Sequence, residues 1–143
     1  MTSAAIARWL GGTKVLRAGV RSELELVRVV RDGLPVAALD ALVALGGLTS
    51  AEVEKLVIPR RTLAHRRKRR EPLSLEESDR LARVARAIAL AEETMQDPTK
   101  AHAWLRRANR ALGGEPPLAL LATEGGARLV EQTLGRMAHG VYS

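Results

Sequence analysis

Apolar residues recur every three or four positions along most of this chain, and the breaks in that rhythm fall at Gly, Pro and capping residues. Ser22 and Glu25 stand at capping-box spacing ahead of Leu24, Val27 and Val30, and Gly33 stops the run, which predicts one helix. Pro35 suits the first helical position of a second, with Val36, Leu39, Leu42 and Val43 at helical spacing until Gly46-Gly47. Thr49 or Ser50 then caps a short helix that turns Val53, Leu56 and Val57 inward. Pro59 cannot continue that helix and biases Ile58 away from the helical region, so a tight break precedes another short helix that opens with Arg60 and Arg61. Two short helices about a tight turn, with cations leading the second, form the pattern of a helix-turn-helix.

Ser74 and Glu77 repeat the capping-box spacing further on. Leu81, Val84, Ala85, Ile88 and Met95 then mark one face of a long helix over roughly Leu75 to Met95, with Arg80, Arg83 and Arg86 mostly off that face. Asp97-Pro98 opens the next helix by the cap-then-proline rule, with Ala101, Trp104 and Leu105 inward. Thr123 caps a last one, burying Ala127, Val130, Leu134 and Met137. Residues 1–21, interrupted by Gly11-Gly12, support only a short helix or a mobile arm. The expected organisation is an arm over 1–21, a helix-turn-helix DNA-binding and dimerisation domain over 22–96, and a second helical domain over 97–143. Near Gln96 to Thr99 the composition turns from basic to balanced, without the signature of a flexible linker.

Composition sharpens the fold class. Leu, Val, Ala and Ile make up nearly all of the 46% hydrophobic content, with no Phe, one Tyr and two Trp, which favours packed helices over sheets. An all-α protein follows. Cysteine is absent, which removes disulfides, thiolate chemistry and Cys-based zinc sites. No segment approaches the run of about 18 apolar residues that a membrane span needs, and the N-terminus lacks signal-peptide character. A cytoplasmic protein that engages no membrane is the expectation.

Charge adds the functional hint. Between Pro59 and Arg70 lie seven Lys and Arg and no acid; removing those seven from the 23 in the chain leaves 16, which match the 16 Asp and Glu. The net charge of +7 is therefore carried by one short segment, a footprint suited to a polyanion such as double-stranded DNA. A solvated charged face is the bland alternative. At 100° per residue Arg61, His65 and Lys68 share a face flanked by Arg60 and Arg69, while Leu63 points to the core. Arg60 and Arg61, at the helix start with Thr62 beside them, are the candidates for reading base edges. Arg66, Arg67 and Arg70 fall on the Leu63 side, where several charges cannot be buried. The helix is thus expected to lift away or fray near Arg66, leaving Arg66, Arg67, Lys68, Arg69 and Arg70 to follow phosphates.

Other chemistry finds little support. With almost no aromatic residues, RNA recognition by stacking is disfavoured, and with Leu63 alone among large apolar residues in the basic segment, so is a membrane-surface helix. His65, His102 and His139 lie far apart without metal-ligand spacing. The four Gly-Gly pairs fit no phosphate-binding motif, and helix ends account for most of them. No nucleophile, base and orienting group assemble, so neither an enzyme nor a cofactor is expected.

The second half carries a more specific signal. Trp104-Leu105, the run N-R-A-L-G-G-E-P-P-L-A-L-L-A-T-E-G-G from Asn109 to Gly126, then Val130, Leu134, Arg136, Met137 and the closing H-G-V-Y from His139 to Tyr142 resemble the toxin-binding domain of Xre/ParS-type bacterial antitoxins. I-P-R-R-T-L from Ile58 and L-S-L-E-E-S-D-R-L from Leu73 are similar to the helix-turn-helix region of the same family. The likeness covers about residues 22–143, departing at Ala108, where family members usually carry Pro.

The resemblance implies a RES-domain toxin as partner, an enzyme that depletes NAD. It also implies that the C-terminal region plugs the toxin's active site, that the helix-turn-helix represses the operon through operator DNA, and that a homodimer sits within a larger hetero-oligomer. Gly140 permits a close backbone approach, Val141 and Tyr142 offer an apolar anchor with a polar tip, and Ser143 ends in a carboxylate. Physics alone reads the same tail as a frayed terminus. Trp104 reads as core or as a toxin contact. Arg136 and His139 read as contacts to acidic groups of a partner or as hydrated surface charge. The alternative to an antitoxin is a stand-alone transcriptional regulator whose C-terminal region dimerises or senses a ligand.

Overall fold

The longest helix organises the rest of the molecule. In the computed structural model, which describes residues 2–140, α7 (Leu75–Met95) runs through the centre and buries Leu81, Val84, Ala85, Ile88 and Ala91 completely. It starts where a capping box closes: Ser74 Oγ accepts the Glu77 N–H at 3.1 Å and the Glu77 carboxylate accepts the Ser74 N–H at 2.8 Å. Gln96, in the left-handed region at φ 54°, ends it. Alanines at 85, 87, 89 and 91 keep much of its buried surface shallow, and the helices over Thr2–Trp9, Glu23–Arg31, Pro98–Arg106 and Glu124–Ala138 all pack against it.

The N-terminal segment is an integral part of that core. Residues Thr2–Trp9 form α1 and Gly12–Leu16 form α2; Ile6 and Leu10 are fully buried, and α1 packs on α7. Two apolar positions four apart are too short a periodic run to stand out in the sequence, which explains the weak signal there.

Elements α3 (Glu23–Arg31), α4 (Val36–Ala44), α5 (Ser50–Leu56) and α6 (Arg60–Arg69) follow. Pro35 sits one residue earlier than expected, as the N-cap of α4 with extended backbone rather than its first helical residue. The loop before α4 is stitched to the start of α7. Ser78 Oγ, fully buried, accepts the Leu34 N–H at 2.8 Å, and the Leu73 N–H donates to the Leu34 carbonyl at 2.9 Å.

Beyond α7 come α8 (Pro98–Arg106), a 3₁₀ turn over Arg110–Leu112, α9 (Pro117–Leu120) and α10 (Glu124–Ala138). Asp97 caps α8 by accepting the Lys100 N–H at 3.1 Å, with Pro98 in the first turn. Ala101, Leu105, Leu118, Leu121, Val130 and Leu134 join the same continuous core as α1 to α7. Gly126 shows why α9 and α10 approach so closely: a Cβ there would lie 1.9 Å from the Leu120 carbonyl oxygen. None of the described helices is long and apolar enough to cross a membrane.

Candidate nucleic-acid and partner-binding surfaces

The helix-turn-helix is built from α5 and α6. A capping box starts α5, with Thr49 Oγ1 accepting the Glu52 N–H at 3.2 Å and Glu52 Oε1 accepting the Thr49 N–H at 2.9 Å. Val53, Leu56, Val57 and Ile58 are buried, and Arg80 Nε donates to the Val57 carbonyl at 2.9 Å, which pins the turn to α7. Pro59 at φ −60° redirects the chain into α6. No residue of α6 is fully buried; Leu63, half-buried, is its apolar contact with the core. A helix so poorly buried needs another anchor.

Ion pairs supply it. Arg66 donates from Nε and Nη2 to both oxygens of Glu77, at 3.1 and 3.3 Å, and from Nη1 to Glu71 Oε2 at 3.1 Å. Arg67 forms a fork-to-fork pair with Asp40 at 2.7 and 2.9 Å. The expected lifting or fraying near Arg66 therefore does not occur: α6 continues to Arg69 and closes at Arg70, φ 55°. Of the charges on the Leu63 side, Arg66 and Arg67 are neutralised by Glu71, Glu77 and Asp40, acids supplied by the loop before α7, by α7 itself and by α4, while Arg70, the residue that ends the helix, is exposed. Burial pushes the Glu77 carboxyl up, but the Arg66 guanidinium and the Ser74 N–H more than compensate and hold it below its ordinary range. Hydrogen bonding to Glu77 in turn raises Arg66.

Five cations of the segment stand outside those pairs. Arg61, Lys68 and Arg70 are exposed and have no acidic partner among the described residues. Arg60 faces Glu54 at 3.7 Å while 83% exposed, and Arg69 lies 3.9 Å from Glu71. His65 is exposed between them and Thr62 is half-buried. This row of positive charge lies on a helix with no fully buried residue and has the sign that a polyanion attracts.

A contact absent from the sequence reading joins the two halves. Arg106, at the end of α8, donates to Glu52 at 2.8 and 2.9 Å and to the Gly47 carbonyl at 3.1 Å, so α8 clasps the start of α5. Burial pushes the Glu52 carboxyl up, yet Arg106 and the Thr49 N–H hold it below its ordinary value. Glu52 is readable in sequence as a capping residue, but Arg106 lies 54 positions away and nothing local announces the pair. The same holds for Asp40 and Arg67, 27 apart.

The C-terminal surface is formed by the loop after α8 and by α10. Asn109 shapes the loop: Oδ1 accepts the Ala111 N–H at 3.0 Å, and its backbone carbonyl accepts the Gly114 N–H at 2.8 Å. Ala108 is exposed beside it. Trp104 is half-buried against the core. Thr123 Oγ1 accepts the Gly126 N–H at 3.0 Å to cap α10, whose Ala127, Val130 and Leu134 are buried and whose Met137 is partly so. Arg136 and His139 are exposed on the last turn, with Arg136 donating to Thr133 Oγ1 at 3.2 Å, and Gly140 is exposed at φ 72°. Val141, Tyr142 and Ser143 lie outside the described residues. Among the described residues no three His, Asp or Glu gather closely enough to hold a metal ion.

Residues 25–86 match the antitoxin Xre-like helix-turn-helix domain, and residues 90–140 match the antitoxin Xre/MbcA/ParS C-terminal toxin-binding domain. Fold and matches together define a helix-turn-helix antitoxin. An "Antitoxin Xre" of Pseudomonas putida is 36% identical over 119 residues, 83% of this chain and 74% of the relative. Another of that name, from Yersinia enterocolitica, is 34% identical over 82% of this chain and 81% of the relative. The chain belongs to the Xre antitoxin family. It is also 29% identical over 82 residues, 51% of this chain and 52% of the relative, to a "Prs ADP-ribosylating antitoxin" of a Sphingobium species.

Proposed function

We propose that the chain neutralises a RES-domain toxin that depletes NAD, and that it binds operator DNA to repress its own operon. The C-terminal region covers the toxin's active site: Arg136, His139 and Gly140 lead into Val141, Tyr142 and Ser143 as the plug, with Trp104 contributing at the base. Arg60, Arg61, Thr62, His65, Lys68, Arg69 and Arg70 face the DNA. The protein works as a cytoplasmic homodimer inside a larger toxin-antitoxin assembly and performs no catalysis. The observation that carries the reading is the match of residues 90–140 to a toxin-binding domain, on a fold that leaves the last turn of α10 exposed.

Co-expression with the toxin encoded beside the gene tests this in a bacterial host. The full chain restores growth and cellular NAD, and a chain ending at His139 does not. Equal rescue by the shortened chain removes the plug from the account. Failure of both, with DNA binding intact, favours a stand-alone regulator.

A further inference from the structure

The basic segment contains two kinds of arginine, and only one kind faces outward. Arg66 and Arg67 follow one another on α6, yet each is turned onto an acid of a different element: Arg66 onto Glu77 of α7 and Glu71 before it, Arg67 onto Asp40 of α4. Glu77 is 6% exposed and simultaneously caps α7, so its position is fixed by the core. Arg67 and Asp40 match in a planar two-bond fork that tolerates little rotation. Since Leu63 is the sole large apolar residue of α6, these two pairs determine how the helix is rolled and pitched against α4 and α7.

We propose that Arg66 and Arg67 are positioning residues for DNA recognition: they fix the orientation from which Arg60 and Arg61 meet the bases, and they take no phosphate themselves. The inference rests on the DNA-binding reading above and refines it. Of the seven cations of the segment, five, Arg60, Arg61, Lys68, Arg69 and Arg70, remain for the polyanion. The two roles leave different signatures. A phosphate contact contributes about 0.9 to the slope of log K against log salt on every sequence, whereas an orienting residue alters the preference for one sequence and leaves that slope alone.

The test uses the full chain, a duplex that the wild type selects from a randomised pool, and a scrambled duplex of the same composition, titrated at several salt concentrations. Arg67→Gln, whose partner Asp40 is exposed, retains the fold; Arg66→Gln is made together with Glu77→Gln so that no buried carboxylate is stranded. Both variants are expected to lose about tenfold on the selected duplex, comparable to one lost base contact, with unchanged slope and unchanged affinity for the scrambled one. Lys68→Ala provides the contrast, with a slope lower by about 0.9 and equal losses on both duplexes. A slope reduced in Arg67→Gln, or equal losses on both duplexes, overturns the positioning role while leaving the DNA reading in place. A wild type that binds neither duplex overturns the DNA reading itself and the positioning role with it.

Discussion

Adding one methyl group at each of two neighbouring glycines should have opposite effects. An alanine Cβ at position 126 would lie 1.9 Å from the Leu120 carbonyl oxygen and 2.8 Å from its carbon. The shortest ordinary C···O contact is about 3.3 Å, so α9 and α10 would have to separate by about 1.4 Å. That movement is resisted on both sides: Leu118 and Leu121 are buried in the core, Arg83 donates to the Leu121 carbonyl at 3.2 Å, and Val130 and Leu134 fix α10. Backbone cannot step aside as a flexible side chain would, so Gly126→Ala should cost about 3 kcal/mol, the upper end for overpacking. For a chain of this size that is roughly a 10 °C fall in Tm.

Gly125, one residue earlier in the same helical turn, meets nothing within 4 Å, and Gly125→Ala should gain about 0.4 to 1 kcal/mol by narrowing the unfolded ensemble. Thermal unfolding followed by circular dichroism reads both. A Gly126→Ala protein that melts with the wild type would refute the close approach of α9 and α10, and a Gly125→Ala protein that melts lower than it would refute the open space at that position.

Other expectations are simpler. Ser78→Ala removes the acceptor of the buried Leu34 N–H and should destabilise by about 1 to 3 kcal/mol in chemical denaturation; a loss below about 0.5 would show that the amide finds another partner. Glu52 and Glu77 both titrate below their ordinary value of 4.5 when folded, so their stabilising contribution is complete above that pH and is lost as pH falls through the folded values. The denaturation midpoint should therefore drop as pH is taken below 4.5, less steeply in Glu77→Gln; an equally steep drop in that variant contradicts the assignment. Arg61→Ala should weaken specific DNA binding by roughly 1 to 3 kcal/mol and relax base preference in a binding titration. Equal loss on all sequences would show that Arg61 does not read bases.

Where a sequence signal is local, it places elements well. The capping pair Ser74 and Glu77 announces the start of α7, Pro59 announces the turn into α6, and Asp97-Pro98 announces α8, because each acts within a few residues of itself. The restraints on α6 come from Asp40, Glu71 and Glu77, and two of these lie far outside the basic segment. Helical geometry puts Arg66, Arg67 and Arg70 on the Leu63 side and so predicts fraying, whereas the fold brings acids to Arg66 and Arg67 on that side. Arg106 carries no local signal for the same reason, since its partner Glu52 reaches it only through the packing of α8 beside α5. The outward row at Arg60, Arg61, His65 and Lys68 was legible because helical geometry alone decides it.

On the proposed function, DNA and toxin meet separate surfaces, α6 for one and the end of the chain for the other. Toxin neutralisation by Arg61→Ala/Lys68→Ala, expressed from an inducible promoter that bypasses autoregulation, tests it most directly. Full growth rescue is expected from a protein that no longer retains the selected DNA duplex. Rescue that falls in step with DNA affinity would place α6 in the toxin interface and contradict the division.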